Sequence, residues 1–150
     1  PLRRGLMGTV PECYVGLWRR RLLQDAQGTD TRTQVYWLQS GSLYADIRIP
    51  ADRDAKNGVA LQQGFAGALE VEGSTLTWQR WLDYQPPAAV ADVGRMHFTR
   101  LDQMVEDGVH ADYRDWSAVF HVLADWRTPR VAPNKAPYNT LILMNDQGEI

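Results

Sequence analysis

Apolar and polar residues alternate with a period of two along most of this chain, and turn-forming clusters interrupt the alternation at roughly 8–12-residue intervals, the rhythm of an all-β barrel or sandwich. The first strand is predicted at Tyr14–Leu23, and Asp25–Asp30 turns the chain. Thr31–Gln39, rich in Thr, Val, Tyr and Trp, is the second. Ser40-Gly41-Ser42 connects it to Leu43–Ile49, which Pro50 ends. A polar loop follows, with a helical turn near Val59–Gln63. Phe65–Val71 and Thr75–Tyr84 form the plainest hairpin, joined by Glu72-Gly73-Ser74. Beyond Pro86-Pro87, Arg95–Thr99 and Leu101–Val105 are weaker strands, and Glu106-Asp107-Gly108 is a turn.

Tyr113–Ala124 has two readings. Trp116, Val119, Phe120 and Leu123 suit one face of a helix, but the β-branched and aromatic content favours a strand. The tract around Thr128–Pro137 is irregular, and Tyr138–Met144 is a last strand. The chain stops just after a turn at Asn145–Gly148, leaving room for a further strand. About eight or nine strands in sequential hairpins are expected to close on themselves, because closure removes exposed edges. The expected fold is therefore mainly β, an antiparallel up-and-down barrel occupying residues 1–150 as one domain. A barrel of about eight strands holds a packed interior or one small ligand.

Composition narrows the function classes. The 150 residues carry a net charge of −2, and the only basic cluster, Arg19-Arg20-Arg21, lies in an alternating strand that splits it between two faces. Nucleic-acid binding needs concentrated positive charge, so it is not expected. A single cysteine, Cys13, forms no intrachain disulfide. No apolar run approaches the roughly 18 residues of a spanning helix, and Pro1–Gly5 has no apolar stretch behind it of the signal-peptide kind. A cytoplasmic protein without membrane association is the expectation.

Six Trp residues are a surplus that lines a cavity or packs a core. Trp78 and Trp81, three apart, point to opposite faces of a regular strand, so one of them faces outward or a subunit contact. Asp46 and Arg48 share a face with Tyr44. By alternation alone Leu43, Ala45, Ile47 and Ile49 make the core face and leave Asp46 and Arg48 an exposed ion pair. If Asp46 and Arg48 instead face the lumen, they form a polar anchor in which the guanidinium can grip a ligand carboxylate. Asp83 and Asp92 flank the Pro86-Pro87 loop at one barrel mouth, with Tyr84 between them, and read as turn caps or as a carboxylate that burial would make a general base. Glu106, Tyr113 and Asp115 come from adjacent strands and read as cross-strand hydrogen bonding or a Tyr–carboxylate site. His97, His110 and His121 lack metal-ligand spacing, so no metal or cofactor is expected.

The Gly16-Leu17-Trp18 spacing resembles the start of lipocalin-like barrels. A longer series of segments is Trp18-Arg19-Arg20, Val35–Gln39, Ala45–Pro50, Phe65-Ala66-Gly67, Trp78-Gln79-Arg80 with Asp83-Tyr84, Asp92–Met96, and Glu106-Asp107-Gly108 with Tyr113–Trp116. It resembles the HRI-type family, named for a fungal protein that interacts with a casein-kinase homologue. The resemblance implies a calycin-like barrel and no established activity. It weighs towards a lumenal Asp46–Arg48 pair, so both readings of that pair stay open. The expectation is a barrel that holds a small, partly apolar molecule through Trp18, Arg20, Trp37, Asp46, Arg48, Trp78, Tyr113, Asp115 and Trp116. An enzyme in the same cavity (Asp46, Asp83 or Asp115 as acid or base) and a homodimerising interaction module are the alternatives.

Overall fold

The computed structural model describes residues 9–51, 61–86 and 91–121. These form nine antiparallel strands: β1 (Gly16–Asp25), β2 (Gly28–Asp30), β3 (Gln34–Ser40), β4 (Leu43–Ile49), β5 (Gln63–Glu72), β6 (Thr75–Asp83), β7 (Asp92–Arg100), β8 (Gln103–Gly108) and β9 (Tyr113–His121). Each of β3 to β8 pairs with the next, β1 pairs with β3, and β9 returns to β1, closing an eight-stranded barrel. β2 is a short addition paired to the far end of β1 through Leu23–Asp25. Closure leaves the barrel strands no free edge over their paired length.

Bulges supply the bending that closure demands. The β1–β9 register shifts between Leu17 and Trp18 and again between Arg20 and Leu22, and the β5–β6 register shifts at Ala66/Gly67. At the β5–β6 shift Gly67 is obligatory, since a Cβ there would stand 1.8 Å from the Gln79 carbonyl oxygen.

The sequence pattern places the strands well and some ends less well. Tyr14 belongs to a 3-10 turn (Glu12–Tyr14) before β1, not to the strand. Asp25–Asp30 contains β2 as well as a turn, and Glu106-Asp107-Gly108 continues β8 instead of turning. Tyr113–His121 is a strand, so the helical alternative for that part is set aside. The strand at 138–144, the Val59–Gln63 turn in part, and Trp126 fall outside the described residues.

The interior is layered. One end is apolar, filled by Val10, Tyr14, Leu69, Leu76, Met96 and Met104, with the 3-10 turn packed into it. Tyr14 lies 5.2 Å from the Phe98 ring and receives the Trp18 indole N–H on its carbonyl at 2.8 Å. Above it lies a tryptophan layer in which Trp37 contacts Trp18, Trp78 and Trp116 at ring separations of 6.4, 5.5 and 5.7 Å. Above that the lumen becomes charged. No described helix is long and apolar enough to cross a membrane.

A charged lumen as the candidate functional site

The register explains how charge comes to line the barrel. Residues opposite one another on antiparallel strands share a face. Trp37, only 1% exposed, sits opposite Asp46, and Asp46 sits opposite the buried Phe65. Asp46 (8% exposed) therefore points inward with Tyr44 and Arg48, while Ile47 is 49% exposed on the outer face. Of the two readings of this strand, the lumenal one holds. The apolar alternation misleads because the outer wall here carries Ile47, Ala45 and Leu82 while the inner wall carries charge.

Arg48 donates its Nε–H to Asp46 Oδ1 at 3.0 Å, and its Nη2 lies 3.8 Å from Asp92. Arg80, on β6, bridges Asp83 at 3.2 Å and Asp92 at 2.9 Å and lies over the Phe65 ring at 3.6 Å. Across the lumen, Glu106 on β8 accepts from Arg114 Nη1 at 2.5 Å and from the Trp116 indole N–H at 2.9 Å. Arg114 reaches back to Asp112 at 2.6 Å. Arg20, 7% exposed, pairs with Asp30 at 3.1 Å. Trp37, Asp46, Arg48, Phe65, Trp78, Asp92, Glu106, Arg114 and Trp116 surround a common pocket with about 10 Å³ of free space, room for one water. Arg48, Arg80 and Asp92 side chains remain 21–24% exposed, so this pocket opens at the mouth.

The electrostatics follow from burial. Desolvation pushes the Asp46 carboxyl above its ordinary value despite Arg48 beside it, and does the same to Glu106 despite Arg114. Burial also disfavours charge on Arg48, yet Asp46 and Asp92 outweigh it and hold that guanidinium protonated more firmly than usual. Arg20 is pushed down, by burial first and then by the Arg48 and Arg114 charges. The Tyr44 hydroxyl is fully buried with no hydrogen-bond partner among the described residues and is pushed up by desolvation.

The structure thus brings Trp37, Asp46, Arg48, Trp78 and Trp116 to one pocket, with Trp18 stacked beside Trp37 and Arg20 beside the charged layer. Asp115 is placed elsewhere. It faces outward and binds Arg21 at 2.6 Å on the surface, because on the regular stretch of β9 it is adjacent to the inward Trp116 and points the other way; Tyr113, two residues before Asp115, shares that outer face. The grouping of Glu106 with Tyr113 and Asp115 is corrected accordingly: Glu106 is lumenal and bonds Arg114 and Trp116. Asp83 and Asp92 do meet at one mouth, joined by Arg80. Trp78 is buried and Trp81 is 45% exposed, on opposite faces as expected. His97 lies near Asp107, and His121 is buried against Trp18 and the Cys13 carbonyl. Among the described residues, no three His, Cys, Asp or Glu groups converge as a metal would require.

Arg114, Arg80 and Phe65 are not among the candidate site residues read from the sequence, and Glu106 is there grouped with Tyr113 and Asp115 instead of its actual partners Arg114 and Trp116. A signal existed for two of them: Glu106 shares the face of the apolar Met104, and Arg114 that of Trp116. Compared with protein-family models, curated proteins and solved structures, the chain matches none.

Proposed function

We propose that this chain is a small-molecule-binding β-barrel that takes a partly apolar ligand at its charged mouth. One observation carries the reading: a layer of buried charge lies on a tryptophan layer inside a barrel whose other end shows that apolar packing suffices. Buried ion pairs return about what their desolvation costs, and well-packed apolar residues serve stability equally or better. Charge kept at this depth is therefore explained by binding, with tryptophan and Phe65 faces for an apolar body and guanidinium and carboxyl groups for a polar head. Membership of the HRI-type family and a cytoplasmic location belong to the same proposal.

Native mass spectrometry of the purified chain, set against the denatured sample, tests it. A small molecule released on denaturation is the expected result. A bare chain that also gives no heat of binding with anionic, neutral or cationic aromatic probes would overturn the proposal.

A second reading, an enzyme using the same cavity, draws on the raised carboxyls of Asp46 and Glu106, since an acid that keeps its proton is suited to general acid catalysis. Asp46→Asn would then retain ligand and lose turnover. The exposed Trp81 and Leu82 support a homodimer, in which case Trp81→Ala lowers the sedimenting mass.

A further inference from the structure

Resting on the ligand-binding reading, we infer that the ligand's polar head is a carboxylate, gripped by the terminal Nη edge of Arg48 between Arg20 and Arg114. The argument is an imbalance of hydrogen-bonding capacity. Each pocket carboxylate already has a cationic partner: Asp46 has Arg48, Asp92 has Arg80, and Glu106 has Arg114 together with the Trp116 indole. Donors are left over. Arg48 spends only its Nε–H in a hydrogen bond among the described residues, and its Nη2 stands 3.8 Å from Asp92 Oδ2. Among the described residues, Tyr44 Oη and Arg114 Nε are fully buried without a partner; both can donate, and Arg114 lines the pocket. A pocket with unspent donors recognises acceptors.

The placement of charge agrees. Arg20 and Arg48 flank Val35 in one cross-strand row, Arg20 ↔ Val35 on β1–β3 and Val35 ↔ Arg48 on β3–β4. On its other side Arg20 is opposite Trp116, two residues from Arg114. Three guanidiniums from β1, β4 and β9 thus converge; burial disfavours charge on Arg20 most, and the Arg48 and Arg114 charges add to it, while Asp30 and Asp46 offset part of it. An anion among them relieves that repulsion. The Nη1/Nη2 edge of arginine presents two parallel donors matched to a carboxylate. Asp46, Asp92 and Glu106 line the same pocket, so a dianionic phosphate meets more repulsion than a monoanion does. The free space admits about one water, so the head enters from the mouth while the ligand's body remains among the aromatic rim groups.

The test is calorimetric titration of the intact wild-type chain at pH 7 with four probes of one shape: benzoate, benzyl alcohol, benzylamine and phenyl phosphate. Benzoate is expected to bind at least about tenfold more tightly than each of the others. Arg48→Lys, which keeps the charge and removes the planar fork, is expected to erase most of that preference at an unchanged far-UV spectrum. Should this variant fail to fold, the wild-type ranking alone decides. Preference for benzylamine, benzyl alcohol or phenyl phosphate would overturn the carboxylate assignment while leaving the barrel a binding protein. No binding of any probe would count against both.

Discussion

Gly94 lies on β7 beneath the Glu106 side chain, and replacing it with alanine tests whether the charged layer is rigidly seated. A Cβ at Gly94 would stand 2.7 Å from Glu106 Oε1, 2.8 Å from its Cγ and 3.0 Å from its Cδ. Contacts this short force a displacement. A free carboxylate would swing aside, but this one is 3% exposed and held by Arg114 and the Trp116 indole. Overpacking a filled interior costs about 1–3 kcal/mol, and loosening a hydrogen bond to a charged group costs about 1.5–3 kcal/mol. Removing glycine's backbone entropy returns about 0.5–1 kcal/mol. The expected net loss is about 1.5–5.5 kcal/mol, a fall of about 3–22 °C in melting temperature for a domain of this size. Gly64→Ala on β5 is the control, because its Cβ would meet nothing closer than 3.8 Å. Thermal melts followed by circular dichroism give the comparison. If Gly94→Ala melts within about 1 °C of Gly64→Ala, Glu106 moves freely and the description of a preorganised pocket is wrong.

Three further outcomes follow from the same geometry. Glu106 has a folded pKa above its ordinary 4.5, so the native state holds a proton that the unfolded chain releases, and its contribution to stability falls as pH rises from there. The melting temperature of Glu106→Gln relative to the parent should therefore rise between about pH 4 and pH 8; a relative fall would show that Arg114's attraction outweighs burial. Trp37→Phe removes the indole donor to Gln39 Oε1, a 3.0 Å bond to a residue 1% exposed, and should cost about 2–4 kcal/mol by urea titration, with a loss below about 1 kcal/mol contradicting it. Ile47→Lys should change stability by less than about 0.5 kcal/mol, since Ile47 faces outward; severe destabilisation would mean that β4 is turned the other way.

The fold was legible because turn chemistry and alternation are local properties. Ser40–Ser42 and Glu72–Ser74 join strands as their residues predict. Errors fell where pairing overrides local preference: Glu106-Asp107-Gly108 has turn composition, yet it continues β8 because Glu106, Asp107 and Gly108 pair with β7 and the chain turns after them. The site was only half legible. Trp37, Asp46, Arg48, Trp78 and Trp116 could be nominated from residue type, but which face of β4 looks inward depends on the Trp37–Asp46 register, a relation between strands that no single strand encodes. Asp115 misled because its outward partner, Arg21, is ninety-four positions away in sequence.

The central claim is that charge stands in the lumen for binding and not for stability. The pair Asp46→Leu with Arg48→Met tests it most directly, since Asp92 keeps Arg80 when Arg48 is removed. Arg48→Met alone leaves Asp46 buried and unpaired and should cost about 3–5 kcal/mol in urea denaturation, whereas the double variant should equal or exceed the parent. The same double variant should lose both the bound small molecule and benzoate binding. A double variant no more stable than the single one, or one that still holds its ligand, would contradict the account.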